Sequence, residues 1–184
     1  MSMEFSGNAR FPEELLELAG GIRLLLSDVD GCWTDGTIQY DRTGHESVSF
    51  HAHDGYGVKL LLRAGIEVAA ISGRNNPAVA ARAKQLGIRE IHLGIADKTA
   101  LAEKLVADRG LSRNQVAALG DDLPDLPLFE AAALTCAPPQ ATETILDLAV
   151  HITSAFGGNG ALREVCDLLL LARALKSDSR AASR

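Results

Sequence analysis

The sequence lacks both a disulfide pattern and an apolar run long enough to cross a membrane. It has 184 residues and three cysteines, an odd number without paired spacing. This argues against a disulfide framework or a zinc site and favours a reducing cytosol. No apolar run approaches the ~20 residues of a membrane span, and residues 1–10 contain no stretch of signal-peptide length. We therefore expect a cytoplasmic protein with no membrane partner.

An excess of positive charge is also missing. Lys and Arg number 18 against 24 Asp and Glu, which gives a formal net charge of −6. This balance does not favour nucleic-acid binding, and an anionic substrate would need a local basic pocket. Internal repeats and linkers are absent. The 47% of apolar residues is typical of a soluble globular protein and sufficient for one domain with a core.

The most informative stretch is an apolar segment, residues 24–27, that ends in Asp28-Val29-Asp30-Gly31. The segment reads as a buried strand, and ligands bind at the carboxyl ends of strands in α/β sheets. Alternation along the strand directs both Asp side chains the same way, and Gly31 allows a sharp turn. The alternative is an Asx turn that only closes the strand.

The rest of the chain alternates between helices and strands. Predicted helices cover residues 12–18, 58–64, 77–86, 98–108, 142–148 and 161–175, and predicted strands cover 66–71, 90–93, 115–119, 132–136 and 150–153. A hairpin flap over about 37–50 precedes this alternation, and we expect a disordered polar tail over 176–184. The pattern predicts one doubly wound α/β domain over 1–184, with a parallel sheet, the β-hairpin flap and no large cap domain.

Polar groups follow four of the predicted strands and should meet at one edge of the sheet. They are Asp28 and Asp30, Ser72 and Arg74, Asp97 and Lys98, and Asp121 and Asp122. Clustered carboxylates repel one another and need a cation. Oxygen ligands suit Mg²⁺, and a lysine and a hydroxyl beside that metal suit a phosphoryl group.

This ordered set resembles the haloacid dehalogenase superfamily of aspartate-dependent phosphatases. Over residues 24–171 it is most similar to the 3-deoxy-D-manno-octulosonate 8-phosphate phosphatase family. The motifs that carry the resemblance are Asp28-Val29-Asp30-Gly31, Thr34-Asp35-Gly36, Phe50, Asp54-Gly55-Tyr56-Gly57, Ile71-Ser72-Gly73-Arg74, Gly120-Asp121-Asp122, Gly157-Gly158, Gly160-Ala161 and Arg163-Glu164-Val165-Cys166-Asp167. Such an ordered set is far more specific than a lone short motif.

The resemblance implies a role for each matching position. Asp28 would be the nucleophile that forms an aspartyl-phosphate, and Asp30 the general acid and then the general base. Mg²⁺ would be held by the Asp28 carboxylate, the Asp30 backbone carbonyl and Asp121, with Asp122 and Asp125 in support. Ser72 and Lys98 would bind the phosphoryl oxygens. The positions implied to contact substrate are Asp30, His51, Ala52, His53, Asp54, Gly55, Lys59, Arg74, Arg82 and Lys98.

Several of these residues have plainer interpretations. Ser72-Gly73 is also compatible with a turn, Lys98 with a solvated first-turn residue, and Arg74 and Arg82 with surface charges. Asp121-Asp122 could cap a helix. His51 and His53 are expected on one face of the flap strand, without a third histidine at ligand spacing. Cys32 and Trp33 replace two aliphatic residues usual in the family, and simple packing would explain both.

The resemblance therefore implies a Mg²⁺-dependent phosphatase that acts on 3-deoxy-D-manno-octulosonate 8-phosphate in lipopolysaccharide precursor synthesis. It also implies a homotetramer, in which a neighbouring subunit covers the open site. His53 and Lys59 stand where arginine or another permanently basic residue is common, and lysine cannot reproduce the bidentate contact of arginine. The alternatives are a phosphatase for a related nonulosonate 9-phosphate and a non-catalytic assembly domain.

Overall fold

A parallel sheet forms the centre of the protein in a computed structural model that describes residues 10–182, with side chains as far as Asp178. The strands of the chain are β1 (Leu24–Ser27), β2 (Gln39–Tyr40), β3 (Glu46–Ser47), β4 (Glu67–Ser72), β5 (Glu90–Leu93), β6 (Val116–Leu119), β7 (Leu134–Ala137) and β8 (His151–Ile152). The six-stranded sheet has the order β5-β4-β1-β6-β7-β8, and all its pairs are parallel. The predicted doubly wound α/β fold is confirmed.

Helices cover both faces of this sheet. They are α1 (Glu13–Ala19), α2 (Ala52–Arg63), α3 (Pro77–Leu86), α4 (Thr99–Ala107), α5 (Leu126–Ala131), α6 (Glu143–Leu148) and α7 (Ala161–Ala182), with short 3₁₀ turns at Arg113–Gln115 and Leu123–Asp125. Alternation along β1 sends Leu25 into the core beneath α1, α2, α3 and α7. Leu24 and Leu26 enter the core beneath α4, α5 and α6. Both faces of β1 are fully buried, which explains its continuous apolar sequence.

The predicted flap is present as a short antiparallel hairpin of β2 and β3, in which Gln39 pairs with Ser47 and Tyr40 with Glu46. Its turn is held by the Asp41 carboxylate, which accepts hydrogen bonds from the backbone N–H groups of Thr43 and His45. The paired strands, of two residues each, cover only part of the predicted flap over about 37–50. Within the described residues the hairpin is the insertion that follows β1, and no larger cap domain accompanies it.

Helix α2 begins at Ala52, six residues before its predicted start at Val58. The two glycines in this stretch concealed the helix, because glycine is unfavourable in helix interiors. They are needed for close packing. A Cβ on Gly55 would lie 2.2 Å from Arg82 Nη2, and one on Gly57 would lie 2.8 Å from Arg163 Cδ. His53 therefore lies in the first turn of α2, and the predicted placement of both histidines on a flap strand is wrong.

Helix α7 continues to Ala182, beyond its predicted end at Leu175. The predicted disordered tail is thus helical as far as the structure describes it, and residues 183–184 lie outside the described part. Extending an existing helix costs little, because each added residue gains a backbone hydrogen bond without a new nucleation step. Residues 1–9, which bear on the expected absence of a signal peptide, also lie outside the described part of the chain. Of the helices that are described, none has the length and apolarity to traverse a bilayer.

Candidate active site

The sheet order reverses direction beside β1, and the polar motifs meet at that point. From β1 the chain moves outward to β4 and β5, and then returns to the other side of β1 at β6. Asp28 directly follows β1 and continues its pairing, because its backbone N–H donates to the Leu119 carbonyl at 2.9 Å. Asp121 follows β6, the neighbouring strand. A crevice at the carboxyl ends of strands, where the order reverses, is the usual ligand site in such sheets.

Lys98 is the buried cation of this crevice. Its residue exposure is 2%, and its Nζ lies 2.6 Å from Asp28 Oδ1 and 2.6 Å from Asp125 Oδ1. Burial alone would lower the pKa of Lys98, but the two carboxylates outweigh burial and raise it. The interpretation of Lys98 as a solvated helix residue is therefore wrong. One fixed positive charge lies between two carboxylates at the sheet edge.

The carboxylates exceed what Lys98 can neutralise. Burial and the charge of Asp125 raise the pKa of Asp28 well above its usual range, although Lys98 opposes the shift. Burial and Asp125 likewise raise the pKa of Asp121 to about 7. Asp28 Oδ2 is buried and has no hydrogen-bond partner among the described residues. An unpartnered buried carboxylate oxygen beside a second carboxylate fits a hard divalent cation such as Mg²⁺.

Gly31 allows the loop after β1 to pass beside Asp121. Its φ of +85° lies in the left-handed region, and a Cβ there would approach Asp121 Oδ2 to 2.1 Å. The Gly31 carbonyl accepts a 2.7 Å hydrogen bond from Gln140 Nε2, and Gln140 Oε1 accepts one from the Gly157 N–H at 3.2 Å. Gln140 thus ties together two loops of the site. Sequence analysis missed it, because no local pattern marks a residue whose contacts are this distant in the chain.

Asp30 lies at the more open side of the crevice. Its Oδ2 accepts a 2.7 Å hydrogen bond from Ser72 Oγ, and Ser72 Oγ in turn accepts from the Arg74 N–H at 3.0 Å. The Asp30 side chain is 28% exposed, against 9% for Asp28. Two carboxyls two residues apart therefore have different surroundings, one enclosed beside a lysine and one near solvent. This difference suits a nucleophile beside a group that exchanges protons.

Comparisons with known proteins show the family of this chain. Residues 68–163 match the haloacid dehalogenase-like hydrolase family. The chain is 40% identical over 161 residues to the 3-deoxy-D-manno-octulosonate 8-phosphate phosphatase KdsC of Yersinia pestis, covering 88% of this chain and 86% of the relative. The chain belongs to this phosphatase family.

Solved structures of the phosphatase family share its fold. One is the phosphatase from Moraxella catarrhalis in complex with a magnesium ion, a phosphate ion and a KDO molecule. It is 37% identical, covers 95% of this chain and 100% of that chain, and superposes with a TM-score of 0.86. The cobalt-bound phosphatase from Haemophilus influenzae is 38% identical over 85% of this chain and 92% of that one, with a TM-score of 0.81.

Several residues expected from the family resemblance have structural roles. Asp54 is 3% exposed, and its carboxylate accepts a 2.8 Å hydrogen bond from the Arg163 N–H. It therefore caps helix α7, because Gly160, the residue before the helix, has no side chain that could do so. Asp122 is exposed and caps the following 3₁₀ turn through the Leu123 N–H. The capping alternative therefore describes Asp122, whereas Asp125 contacts Lys98 and accepts a hydrogen bond from the Asp121 N–H. Support of a metal by either residue stays a prediction.

The remaining expected contacts surround α2 and α3. Arg82 Nη1 donates to Gln85 Oε1 at 2.8 Å, and its guanidinium lies against Gly55. The rings of His51 and His53 contact edge to face, with centroids 5.0 Å apart, and Lys59 is half-buried. Substrate contacts by these residues and by Ala52 stay predictions.

Arg74 connects the crevice at the carboxyl ends of the strands to the hairpin. Its Nη2 donates to Glu46 Oε2, and its Nε lies 3.9 Å from Asp30 Oδ1. Asn76 Nδ2 donates to Glu46 Oε1 at 2.7 Å. The interpretation of Arg74 as a solvated surface charge is therefore wrong. Glu46 is a second residue that sequence analysis missed, because it appeared only as one polar position of an alternating strand.

Cys32 and Trp33 support the loop after β1 from within the core. Both are buried, as the packing interpretation predicts. Trp33 Nε1 donates to Ser27 Oγ at 2.9 Å, and Ser27 Oγ donates to the Asp28 carbonyl at 2.8 Å. Burial and the nearby Asp28 raise the pKa of the Cys32 thiol well above its usual value. The thiol is therefore neutral here, and Trp33 helps to fix the backbone that carries Asp28.

Proposed function

We propose that this chain is a Mg²⁺-dependent phosphatase that hydrolyses 3-deoxy-D-manno-octulosonate 8-phosphate to the free sugar acid and phosphate. The observation that carries the proposal is Asp28, held at one oxygen by buried Lys98 and unpartnered at the other, in a chain similar to phosphatases named for that substrate. The activity belongs to lipopolysaccharide precursor synthesis.

Asp28 attacks the phosphorus atom and displaces the sugar oxygen, which forms an aspartyl-phosphate on the chain. Lys98 fixes the orientation of the Asp28 carboxylate and, with Ser72, donates hydrogen bonds to the phosphoryl oxygens. The carboxylates of Asp28 and Asp121 and the Asp30 carbonyl would hold Mg²⁺. When bound, Mg²⁺ supplies positive charge that offsets the negative charge of the phosphoryl group.

Asp30 moves the protons of both half-reactions. In its protonated form it donates to the leaving sugar oxygen, and its carboxylate then accepts a proton from the water that attacks the aspartyl-phosphate. Before substrate binds, Ser72 Oγ donates to one carboxyl oxygen of Asp30, and Arg74 Nε lies 3.9 Å from the other. The Ser72 hydroxyl turns its proton from Asp30 to the phosphoryl oxygen when the substrate binds. Release of phosphate restores the Asp28 carboxylate and completes the cycle.

The test is phosphate release from a set of sugar phosphates with Mg²⁺, with kcat/KM measured for each. We expect the octulosonate 8-phosphate to be preferred over a nonulosonate 9-phosphate and over simple hexose phosphates. A preference for the 9-phosphate would reassign the substrate and retain the chemistry. No turnover of any phosphate ester would favour the non-catalytic assembly domain and refute the proposal.

The proposed assembly is a homotetramer in which a neighbouring subunit covers the site. In support, Ile38 and Tyr40 of the hairpin are 48% and 62% exposed. Two exposed apolar residues on a small hairpin favour burial against another surface. Replacing residues 37–49 by a short Gly-Ser link should yield smaller particles in light scattering, with reduced substrate preference. A fully active monomer with unchanged preference would refute this role.

The proposed compartment is the cytoplasm. Three buried free cysteines fit a reducing environment. Fractionation of a producing bacterium should place the chain with cytoplasmic markers, and recovery with periplasmic markers would contradict the assignment.

A further inference from the structure

A thiol lies among the carboxylates of the site. Cys32 is fully buried, and its Sγ lies 3.9 Å from Asp121 Oδ1. One donor atom each from Asp28, Cys32 and Asp121 lie within 4.8 Å of one another. The proposed Mg²⁺ chemistry uses oxygen atoms only, so it leaves this sulfur without a function.

The second observation is the unpartnered oxygen of Asp28. Lys98 occupies Oδ1, whereas Oδ2 is buried and has no partner in the described part of the chain. The Asp28 side chain is 9% exposed. The pocket thus offers a free oxygen, a second carboxylate and a thiol at one place.

We propose that Cys32 makes this pocket a mixed oxygen–sulfur site, which binds thiophilic divalent cations such as Zn²⁺ and Cd²⁺ through Asp28, Cys32 and Asp121. The site overlaps the cation pocket of the proposed function and rests on that assignment of Asp28 and Asp121. Sulfur ligands select thiophilic metals, whereas Mg²⁺ selects oxygen.

The distance between the Cys32 thiol and the Asp121 carboxylate suits such a cation. Tetrahedral Zn²⁺ has bonds of about 2.0–2.2 Å to oxygen and 2.3 Å to sulfur, which places these donors roughly 3.6 Å apart. The 3.9 Å between Cys32 Sγ and Asp121 Oδ1 therefore needs little adjustment. As the metal–sulfur bond forms, the thiol proton passes to solvent and no redox change occurs. Water completes the coordination.

Such a cation inhibits the enzyme. It displaces Mg²⁺ from Asp28 and Asp121, and its sulfur bond to Cys32 has no equivalent in the Mg²⁺ complex. We therefore expect Zn²⁺ to compete with Mg²⁺ and to leave slowly.

The test is a titration of the metal-free protein with Cd²⁺ alone, followed by ultraviolet absorption for the thiolate-to-metal charge-transfer band and by calorimetry. Wild type should give the band at one Cd²⁺ per chain. Cys32→Ser should lose the band and bind Cd²⁺ at least ~10-fold more weakly, with Mg²⁺ affinity retained. The matched control is Cys136→Ala with Cys166→Ala, which leaves Cys32 as the only thiol and should retain the band.

An absent band in wild type, or an unchanged band in Cys32→Ser, overturns the proposal. If Cys32→Ser does not fold, the control variant still decides, because any band it shows comes from Cys32. Phosphate release with Mg²⁺, measured on the same wild-type preparation, separates the two proposals. An active enzyme without the band refutes the mixed site alone, and an inactive protein with the band refutes only the phosphatase.

Discussion

Replacing Lys98 by methionine tests whether the buried lysine is the permanent counter-ion of the site. The methionine side chain fills similar space but carries no charge, and it leaves the carboxylates of Asp28 and Asp125 buried without their 2.6 Å partner. Removing one member of a buried ion pair costs about 3–5 kcal/mol. We expect a loss of unfolding free energy of that size, together with a fall in kcat of at least ~10²-fold from the missing phosphoryl donor.

The control is Lys104→Met in helix α4, whose N-cap residue is Lys98. Lys104 also lies 2.6 Å from a carboxylate, that of Asp108, but its side chain is 68% exposed. Surface pairs contribute less than ~1 kcal/mol, so this variant should match wild type in urea denaturation and in turnover. The two lysines thus have the same pairing distance and lie six residues apart, and they differ in burial.

The pH dependence gives a second readout for Lys98→Met. Burial already raises the pKa of Asp28, and Lys98 opposes the shift, so its removal raises that pKa further. A carboxyl with a raised folded pKa destabilises the protein as pH rises and the group ionises. The stability deficit relative to wild type should therefore be small at acid pH, where the carboxyl of Asp28 is protonated in both proteins. It should grow as the pH rises through the raised pKa of Asp28 in wild type and shrink when Mg²⁺ is added. Equal stability of Lys98→Met and wild type at pH 7 without metal would refute the counter-ion role.

Three further predictions test the nucleophile, a buried glutamate and the loop contact. Asp28→Asn removes the attacking charge, so phosphate release should fall at least ~10³-fold; near-normal release would refute covalent catalysis. Burial alone would raise the pKa of Glu164, but hydrogen bonds from Ser154 outweigh it and lower the pKa. Glu164 therefore stabilises the fold above its unfolded pKa, and Glu164→Gln should lower the urea midpoint at pH 7 but much less near pH 3; a pH-independent loss would contradict this. Gly157→Ala would place a Cβ 1.7 Å from the Gly31 carbonyl oxygen, so crystallography should show displaced loops and kcat should fall; unchanged loops and kinetics would contradict the close approach.

Local sequence patterns correctly predicted the helices and strands whose start and end are marked by residues in the element itself. Helix α3 matches its predicted range because Pro77 opens it and Gly87, with a φ of 91°, ends it. Strand β1 is recognisable because both of its faces are buried. The start of α2 was missed because its glycines serve contacts with α3 and α7, which lie elsewhere in the chain.

The candidate site divides in the same way. The residues at the strand ends lie close together, as the parallel sheet requires. Lys98 and Asp125 contact each other directly at the same edge. Glu46 and Gln140 could not be predicted, because each acts through partners brought near by tertiary structure. Asp54 is a mixed case: its motif was recognised from the sequence, whereas the contact of its carboxylate with the start of α7 was not, and its substrate contact stays a prediction.

The position of β1 in the middle of the sheet has a consequence for synthesis of the chain. Leu24 pairs with Glu67 on one side and with Val116 on the other, so the first strand made is fully paired only after β6 is made. Contacts this distant in sequence close slowly. A ribosome-bound chain that ends before β6 therefore exposes one edge of an apolar strand, which is the kind of surface that aggregates. We expect truncation before Val116 to yield insoluble product.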